Sequence, residues 1–332
     1  MNLVLRKVLA LGVICISIIL FAYLGATSNQ PTNHVSSLIR IGVSQTPLSS
    51  PFIVAKSNQY FLQQGLNVEL VPCFGGVACA KLLFSGEVDY ATASESVVMF
   101  QSFKRKDFRV LASFVESTND LKLLALQEQG ITKTSDLDGK KVGIVKASAS
   151  EFYLDSLLIV DNLKRIEINK VYMAPQEMED ALTSHEVDAI SVWEPYGYLI
   201  ENAVESPPVN LGIAGVYTLS FNLLTMGETV DAAPQVATSI LLALSDSINW
   251  MQQNPDTSRE LISQNLSIPI EQLEWSWNDY VFRLSLGNSL LSNLQLQARW
   301  ATNSGLASGV APDYRKIMYA PPLTDALETE AF

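Results

Sequence analysis

The chain has 332 residues, of which 48% are hydrophobic and 17% are charged, so it is long enough for two domains with large apolar cores. Its formal net charge of −12 disfavours nucleic acid or an anionic lipid surface as the main partner. A small anionic ligand remains compatible with this charge, because backbone amides and helix ends can bind one locally.

Residues 1–26 are predicted to be a targeting segment. Two basic residues precede an apolar run from Val8 to Leu24, and small and polar residues follow it. This order predicts a signal peptide cleaved near Ala26, although the run is also just long enough to remain as a membrane anchor. Residues 27–37 form a polar linker, and the fold is expected to begin at residue 38.

The two cysteines of the mature chain leave two alternatives open. Export implies an oxidising environment, in which a disulfide is possible. On one continuous helix Cys73 and Cys79 would point to different faces, so a disulfide requires Cys73 to lie in the loop before that helix. Two buried free thiols are the preferred alternative.

Residues 38–115 predict the alternating strands and helices of an α/β lobe. The polar loop with Gln45, Thr46 and Pro47 follows the first strand, and Phe74-Gly75-Gly76 leads into a helix after the second. Two glycines at a helix start let a ligand approach the first backbone amides closely, although a Gly-Gly pair is also typical of an ordinary turn. The predicted strands are Leu38–Val43, Leu66–Val71 and Arg109–Val115, and Gly86–Thr92 is predicted to be a turn followed by a further strand.

A second lobe is predicted to repeat this order after a crossover at Glu116–Asp120. Lys146, Ser148 and Ser150 gather before a helix over Glu151–Val160, with Ser150 as its cap. This group is typical of a site for an anion, or of a plain capped helix with Lys146 in solvent. A second crossover, which contains Tyr217, returns the chain to the first lobe.

The C-terminal part is predicted to be helical. The helices are expected over Ala237–Gln253, Thr257–Asn265, Ile270–Tyr280 and Leu290–Thr302. Because of Pro321-Pro322, the tail is expected to be weakly structured beyond Met318.

The most informative feature is a duplicated segment. Leu83–Glu95 and Leu182–Glu194 share Leu, Ser, Glu, Val and Asp within their first seven positions. In register, Ser94 corresponds to Trp193 and Glu95 to Glu194, each just past the C-terminal end of a predicted strand. Ligands bind at that edge of open α/β sheets. We therefore expect two similar lobes with a small molecule between them.

These motifs resemble the exported substrate-binding proteins of ABC importers for nitrate, sulfonates, taurine and thiamine-pyrimidine precursors. The resemblance covers residues 38–305, and the matched segments are the Pro47 loop, Gly65–Glu69, Gly75-Gly76, Ser85–Asp89, Lys146–Ser148 and Trp193–Tyr196. Ala147 and His185 stand where the family usually has glycine. The resemblance implies a two-lobed type II periplasmic-binding-protein fold, with doubly wound sheets joined by two hinge crossovers. Lobe 1 would comprise residues 38–118 and 218–332, and lobe 2 residues 119–217.

The resemblance implies a monomeric, extracytoplasmic protein that captures a small polar or anionic organic molecule and delivers it to an ABC importer permease. The membrane would be met only through the N-terminal segment, and no cofactor, metal or catalytic residue is expected. Trp193 would stack on the ligand and Glu194 would accept a hydrogen bond, unless Glu194 only caps its own loop. The ligand-binding residues are predicted to be Gln45, Thr46, Pro47, Phe74, Gly75, Gly76, Ser94, Glu95, Lys146, Ser148, Ser150, Trp193, Glu194 and Tyr217.

Two other functions stay open. An enzyme of the same fold, acting on a thiamine-pyrimidine or menaquinone precursor, could use Glu95 and Glu194 as an acid/base pair. The sequence has only two histidines, and no Ser-His-Asp set, metal-spaced cluster or Gly-rich nucleotide loop supports it. A sensory ligand-binding protein would have the same cleft.

Overall fold

Two β-sheets organise the computed structural model, which describes residues 37–163 and 165–330. The predicted signal or anchor segment and almost all of the linker lie outside the described residues. Within the described residues, no helix is both long and apolar enough to cross a membrane. In chain order the strands are β1 (Ile39–Ser44), β2 (Val68–Cys73), β3 (Tyr90–Ser94), β4 (Phe108–Ser117), β5 (Leu121–Ala125), β6 (Lys141–Ile144), β7 (Asn169–Tyr172), β8 (Ala189–Trp193), β9 (Val209–Asn210), β10 (Leu219–Met226) and β11 (Tyr280–Ser285).

The two sheets have related topologies. The first has the order β11-β4-β10-β3-β1-β2, and the second has the order β7-β6-β8-β5-β9. In each sheet a parallel unit, β2-β1-β3 or β7-β6-β8, is continued by an antiparallel strand, β10 or β5. The chain passes between the sheets twice, once from β4 to β5 and once from β9 to β10.

Helices flank both sheets. The connection after β1 contains a 3-10 turn, Pro47–Ser49. The longest helix of the described residues, 20 residues in length, buries its apolar face, as its spacing predicted. In chain order the α-helices are α1 (Ser50–Ser57), α2 (Tyr60–Gln63), α3 (Gly75–Ser85), α4 (Glu95–Lys104), α5 (Ala149–Val160), α6 (Met178–Thr183), α7 (Tyr196–Ala203), α8 (Gly227–Ala232), α9 (Pro234–Gln253), α10 (Pro255–Leu266), α11 (Ile270–Trp277), α12 (Asn288–Asn303) and α13 (Pro321–Glu330).

The duplicated segment forms the same turn in both sheets. The Asp89 carboxylate accepts a hydrogen bond from the backbone N–H of Arg40 on β1, at 2.8 Å. The Asp188 carboxylate accepts one from the backbone N–H of Lys141 on β6, also at 2.8 Å. The shared aspartate therefore joins the turn to the first strand of each parallel unit. This equivalent contact is a structural reason for the aspartate to occur in both copies of the segment.

Two predictions for the C-terminal part are wrong. The helix expected over Ile270–Tyr280 ends at Trp277, and the chain continues as β11, which pairs with β4. The tail beyond Met318 is not weakly structured, because Pro321 and Pro322 lie in the first turn of α13. Proline is favoured there, since the first helical amides need no partner within the helix.

The preferred assignment of the cysteines is also wrong. Cys73 and Cys79 form a disulfide. Cys73 is the last residue of β2 and Cys79 lies inside α3, so the two are not on one continuous helix. The geometric condition for a bridge is therefore met.

Candidate functional site

One cavity of about 460 Å³ is lined by residues from both sheets and their loops. The six-stranded sheet contributes Ser44, Thr46, Leu48, Phe74, Gly75, Gly76, Val77, Ala78, Lys81, Ser94, Val97, Leu219 and Phe221. The five-stranded sheet contributes Val145, Lys146, Ser148, Ala149, Ala174, Pro175, Gln176 and Trp193, and Asp120 joins them from the connection between β4 and β5. Most of these side chains are apolar, so the cavity suits a ligand with a hydrocarbon part and a few polar groups.

The start of helix α3 forms one wall. Gly75 has a φ of +79°, and a Cβ on Gly76 would lie 2.9 Å from both the Cα of Ala93 and the backbone N of Ser94. The glycines are thus required by backbone conformation and by close approach to β3. Phe74 occupies the cap position, and no side chain in the described part of the chain caps the helix. The first amides of α3 are therefore available to an anion at the cavity wall.

Hydroxyl groups lie beside this helix start. The Oγ of Ser44 and the Oγ1 of Thr46 are buried and have no hydrogen-bond partner among the described residues. Both residues line the cavity, as does Ser94 at the end of β3. Because a buried polar atom without a partner is costly, these two hydroxyls are natural contacts for a bound molecule.

The start of helix α5 is already capped from within the protein. The Ser148 Oγ accepts a hydrogen bond from the backbone N–H of Ser150 at 3.2 Å, so Ser148 is the cap and not Ser150 as predicted. The Glu151 carboxylate accepts from the backbone N–H of Ala147 at 3.0 Å. Lys146 is exposed and lies over the Tyr172 ring, 5.1 Å from its centroid. Of the predicted anion-binding group, Lys146 and Ser148 line the cavity, whereas Ser150 is buried and does not line it.

Trp193 is the aromatic residue at the end of β8. Its ring lies beside the start of α3, with Cζ2 3.8 Å from the position that a Cβ on Gly75 would occupy. The tryptophan from one sheet thus meets the glycine loop from the other across the cavity. A planar, partly exposed ring at this point can cover the apolar part of a ligand.

Glu194 and Glu95, predicted as site residues, do not line the cavity. Glu194 is 1% exposed and accepts hydrogen bonds from Trp275 Nε1 at 2.9 Å and from the backbone N–H of Tyr198 at 3.1 Å. Lys122 Nζ lies 3.6 Å from its Oε1. Burial raises the pKa of Glu194, and Lys122 opposes that shift.

Glu95 occupies an equivalent place in the other sheet. It is completely buried and accepts hydrogen bonds from the backbone N–H of Ser220 at 2.7 Å and from Gln297 Nε2 at 3.0 Å. Burial raises its pKa to about 7, against the effect of these hydrogen bonds. Because neither glutamate is on the cavity wall, the structure does not bring them together as an acid/base pair there.

The other three predicted residues lie near the cavity without lining it. Gln45 is exposed, and its side-chain amide donates to the backbone carbonyl of Val43. Pro47 is buried in the 3-10 turn. Tyr217 is buried, with its hydroxyl 3.4 Å from Ser96 Oγ.

Asp120 is a cavity residue that sequence reasoning did not select. It is 1% exposed, and its Oδ1 accepts a hydrogen bond from the Tyr280 hydroxyl at 3.1 Å. Its Oδ2 has no hydrogen-bond partner among the described residues. Burial, together with the nearby Glu194, raises the pKa of Asp120 to about 8. The only signal in the sequence was its place in the predicted crossover.

The chain belongs to the NMT1/THI5-like family, whose model matches residues 46–258. A relative from Bacillus subtilis (strain 168), whose name describes it as an aliphatic sulfonates-binding protein, is 24% identical over 260 residues. The match covers 76% of this chain and 77% of that protein.

Solved structures with the same fold include both a binding protein and an enzyme. The periplasmic aliphatic sulphonate binding protein SsuA from Escherichia coli has a TM-score of 0.75 at 18% identity, over 86% of this chain and 93% of that one. The desulfurization enzyme DSZB has a TM-score of 0.66 at 14% identity, over 89% of this chain and 100% of that one. The predicted two-lobed α/β periplasmic-binding fold is thereby confirmed, and these likenesses bear on the fold alone.

Proposed function

We propose that the protein is an extracytoplasmic solute-binding protein that captures a small organic sulfonate and delivers it to an ABC importer. The observation that carries the proposal is the cavity itself, which takes one wall from each sheet. In a two-lobed protein, closure about the crossovers can bury a ligand between such walls. The Bacillus subtilis relative supports the choice of sulfonates within the family.

The arrangement of groups in the cavity supports a head-and-tail ligand. The uncapped start of α3 and the partnerless hydroxyls of Ser44 and Thr46 would receive the sulfonate oxygens. Lys146, from the opposite wall, would add a positive charge. Leu48, Val97 and Phe221 would surround the hydrocarbon part, with the Trp193 ring against it.

Export, tethering and the lobe boundaries belong to the same proposal. A solute-binding protein must lie outside the cytoplasmic membrane, which fits the predicted signal or anchor segment of residues 1–26. The strands of the five-stranded sheet all fall within residues 121–210. This distribution supports a second lobe over residues 119–217.

Direct binding tests the proposal. Calorimetry with a series of linear alkanesulfonates is expected to give saturable binding, whereas alkylammonium ions of the same chain lengths should bind much more weakly. Small-angle scattering should show compaction at a saturating sulfonate concentration. Binding of no sulfonate, or binding without any decrease in the radius of gyration, would contradict the proposal.

A pair of tryptophan variants tests the site. Trp193→Ala is expected to weaken sulfonate binding by about 1–3 kcal/mol, because the ring would no longer cover the ligand. Trp277→Ala is the control, since Trp277 packs against Phe282 away from the cavity wall. Wild-type affinity in Trp193→Ala, with both variants folded by circular dichroism, would remove Trp193 from the site.

The enzyme alternative is tested in the same samples. The desulfurization enzyme shows that this fold can carry catalysis, but here neither predicted carboxylate lines the cavity. Mass spectrometry after prolonged incubation should return the sulfonate unchanged. Release of sulfite or of any other product would favour the enzyme.

A further inference from the structure

Glu151 is a buried carboxylate that the proposed sulfonate site does not use. It lies in the first turn of α5 and is completely buried. Its Oε2 accepts a hydrogen bond from the backbone N–H of Ala147 at 3.0 Å, while its Oε1 accepts one from the Tyr172 hydroxyl at 2.8 Å. One carboxylate therefore joins the loop between β6 and α5 to the last residue of β7.

Both groups that Glu151 holds are next to Lys146, which lines the cavity. Ala147 follows Lys146 in the chain and has left-handed backbone, with φ of 55°. The Tyr172 ring lies under the Lys146 ammonium group, with its centroid 5.1 Å from Nζ. A cation at this distance is attracted to the face of an aromatic ring. Glu151 thus fixes the backbone beside Lys146 and also the ring against which the Lys146 side chain rests.

Further charged groups hold the Glu151 carboxylate in place. Lys170 Nζ lies 3.3 Å from Glu151 Oε1 and 2.9 Å from Asp155 Oδ1. Asp155 is itself held by Trp300, whose Nε1 donates to it at 2.9 Å. Two carboxylates in this group share one ammonium group, so the excess negative charge also attracts the ammonium group of Lys146. Lys146 is therefore restrained by this charge as well as by the Tyr172 ring.

We infer that Glu151 is a positioning residue of the sulfonate site, which acts through Lys146 and does not contact the ligand itself. Lys146 lines the cavity and Glu151 does not. The inference rests on the proposed function, in which Lys146 supplies a positive charge to the sulfonate. A long side chain that is already restrained loses less conformational entropy when it binds, so a fixed Lys146 binds the anion more tightly than a mobile one.

The negative charge of Glu151 by itself predicts the opposite effect on binding. A carboxylate close to an anion site repels the anion, so its removal would strengthen sulfonate binding if only the charge mattered. The placement of Lys146 by Glu151 predicts instead that removal of the carboxylate weakens binding. The direction of the change in affinity therefore separates the two effects.

A double-mutant cycle with 1-butanesulfonate as the probe tests the inference. Calorimetry at pH 7 would compare the wild type, Glu151→Ala, Lys146→Met and the double variant. We expect Lys146→Met to weaken binding about tenfold and Glu151→Ala about three- to tenfold. In the Lys146→Met background, Glu151→Ala should change the affinity by less than about twofold, because the residue through which it acts is gone. A purely structural role of Glu151 would weaken binding in both backgrounds.

Conservative variants separate the geometry from the charge. Glu151→Gln keeps an acceptor for the backbone N–H of Ala147 and a polar partner for Tyr172, so its affinity should stay within about threefold of the wild type. Tyr172→Phe removes only the hydroxyl that is bonded to Glu151, and should weaken binding about two- to threefold in the wild type but not in Lys146→Met. Glu179→Gln, which removes the same charge from α6 away from the cavity wall, is the control and should keep wild-type affinity.

The failure of this inference and the failure of the proposed function give different results. Unchanged or tighter binding in Glu151→Ala, or an equal loss in both backgrounds, would overturn the inference while leaving the proposed function intact. A wild-type protein that binds neither 1-butanesulfonate nor any other linear alkanesulfonate would overturn both. If Glu151→Ala does not fold by circular dichroism, the comparison of Tyr172→Phe in the two backgrounds decides in its place.

Discussion

Some residues other than glycine have left-handed backbone in the turns of this protein. Ala147 and His185, two positions at which the family resemblance leads us to expect glycine, both have left-handed backbone, with φ of 55° and 60°. His185 corresponds in the duplication to Gly86, whose φ is 77°. Both copies of the duplicated turn thus have left-handed backbone at this position, although only the first copy has glycine there. A side chain in that region costs conformational energy that glycine avoids.

Ala147 offers a direct measurement of this cost. Ala147→Gly is expected to raise the free energy of unfolding by about 0.5–1 kcal/mol, because relief of the left-handed strain exceeds the added flexibility of the unfolded chain. Urea unfolding of the ligand-free protein would measure it. Gln295→Gly, at an exposed position in the middle of α12, is the control and should lower stability. A lower stability in Ala147→Gly would show that the turn carries no strain.

At the scale of elements, strands and helices that follow from a local sequence pattern could be predicted, whereas an element that depends on distant contacts could not. The strands and helices up to β10 follow from alternation, from helical spacing and from turn residues, so their order was predictable. Strand β11 was missed because its pairing with β4 joins distant segments, Tyr280 with Ser117 for example. Helix α13 was missed because Pro321 was taken as a breaker, when it lies in the first turn of a helix.

The same difference between local and distant information explains which residues of the candidate site could be predicted. Gly75, Gly76 and Trp193 could be selected because their neighbours in sequence mark the end of a strand or the start of a helix. Asp120 could not, because its significance comes from burial and from Tyr280, which is 160 residues away. Glu194 was selected as a ligand contact, but its carboxylate accepts hydrogen bonds from Trp275 and from the backbone N–H of Tyr198, and it does not line the cavity.

The disulfide belongs to the element scale, because it joins the end of β2 to helix α3. The closed loop contains Phe74, Gly75 and Gly76, three residues that line the cavity. The bridge therefore restricts the same loop that is proposed to bind the ligand. A link across so short a loop stabilises a protein by about 2 kcal/mol in the chain-entropy model.

Reduction tests whether the disulfide stabilises the protein and whether it restrains the loop that is proposed to bind the ligand. Dithiothreitol is expected to lower the free energy of unfolding of the wild-type protein by about 2 kcal/mol and to weaken sulfonate binding, because the loop loses its restraint. The double variant Cys73→Ala and Cys79→Ala should be unaffected by the reductant, which makes it the control. A wild-type melting temperature that does not change after complete reduction, checked by thiol titration, would contradict the prediction.

At the scale of the whole molecule, contacts away from the cavity also join the helices that flank the two sheets. Trp300 of α12 donates to the Asp155 carboxylate of α5 at 2.9 Å, and its ring meets Phe152 of α5 and Phe100 of α4 edge to face. Any separation of the two lobes would break such contacts. The crossover residues are therefore not the sole restraint on opening.

The free energy of unfolding should depend on pH through the buried carboxyl of Asp120. Its pKa is about 3.8 in the unfolded chain and about 8 in the folded protein, because burial and Glu194 outweigh Lys122 and Tyr280, with Asp279 acting in the same direction as Glu194. The folded state therefore holds a proton that the unfolded state has lost. This contribution to stability is complete below about pH 4 and disappears as the pH rises towards about 8.

Urea unfolding of the ligand-free protein at several pH values between 5 and 8 would measure this effect. Relative to Asp120→Asn, the wild type should lose of the order of 2–4 kcal/mol across that range, since each unit of pH within it corresponds to about 1.4 kcal/mol. Asp325→Asn, a change in an exposed aspartate of α13, should follow the wild-type curve. Parallel curves for wild type and Asp120→Asn would mean that Asp120 is ionised throughout, and that its charge is already balanced within the protein.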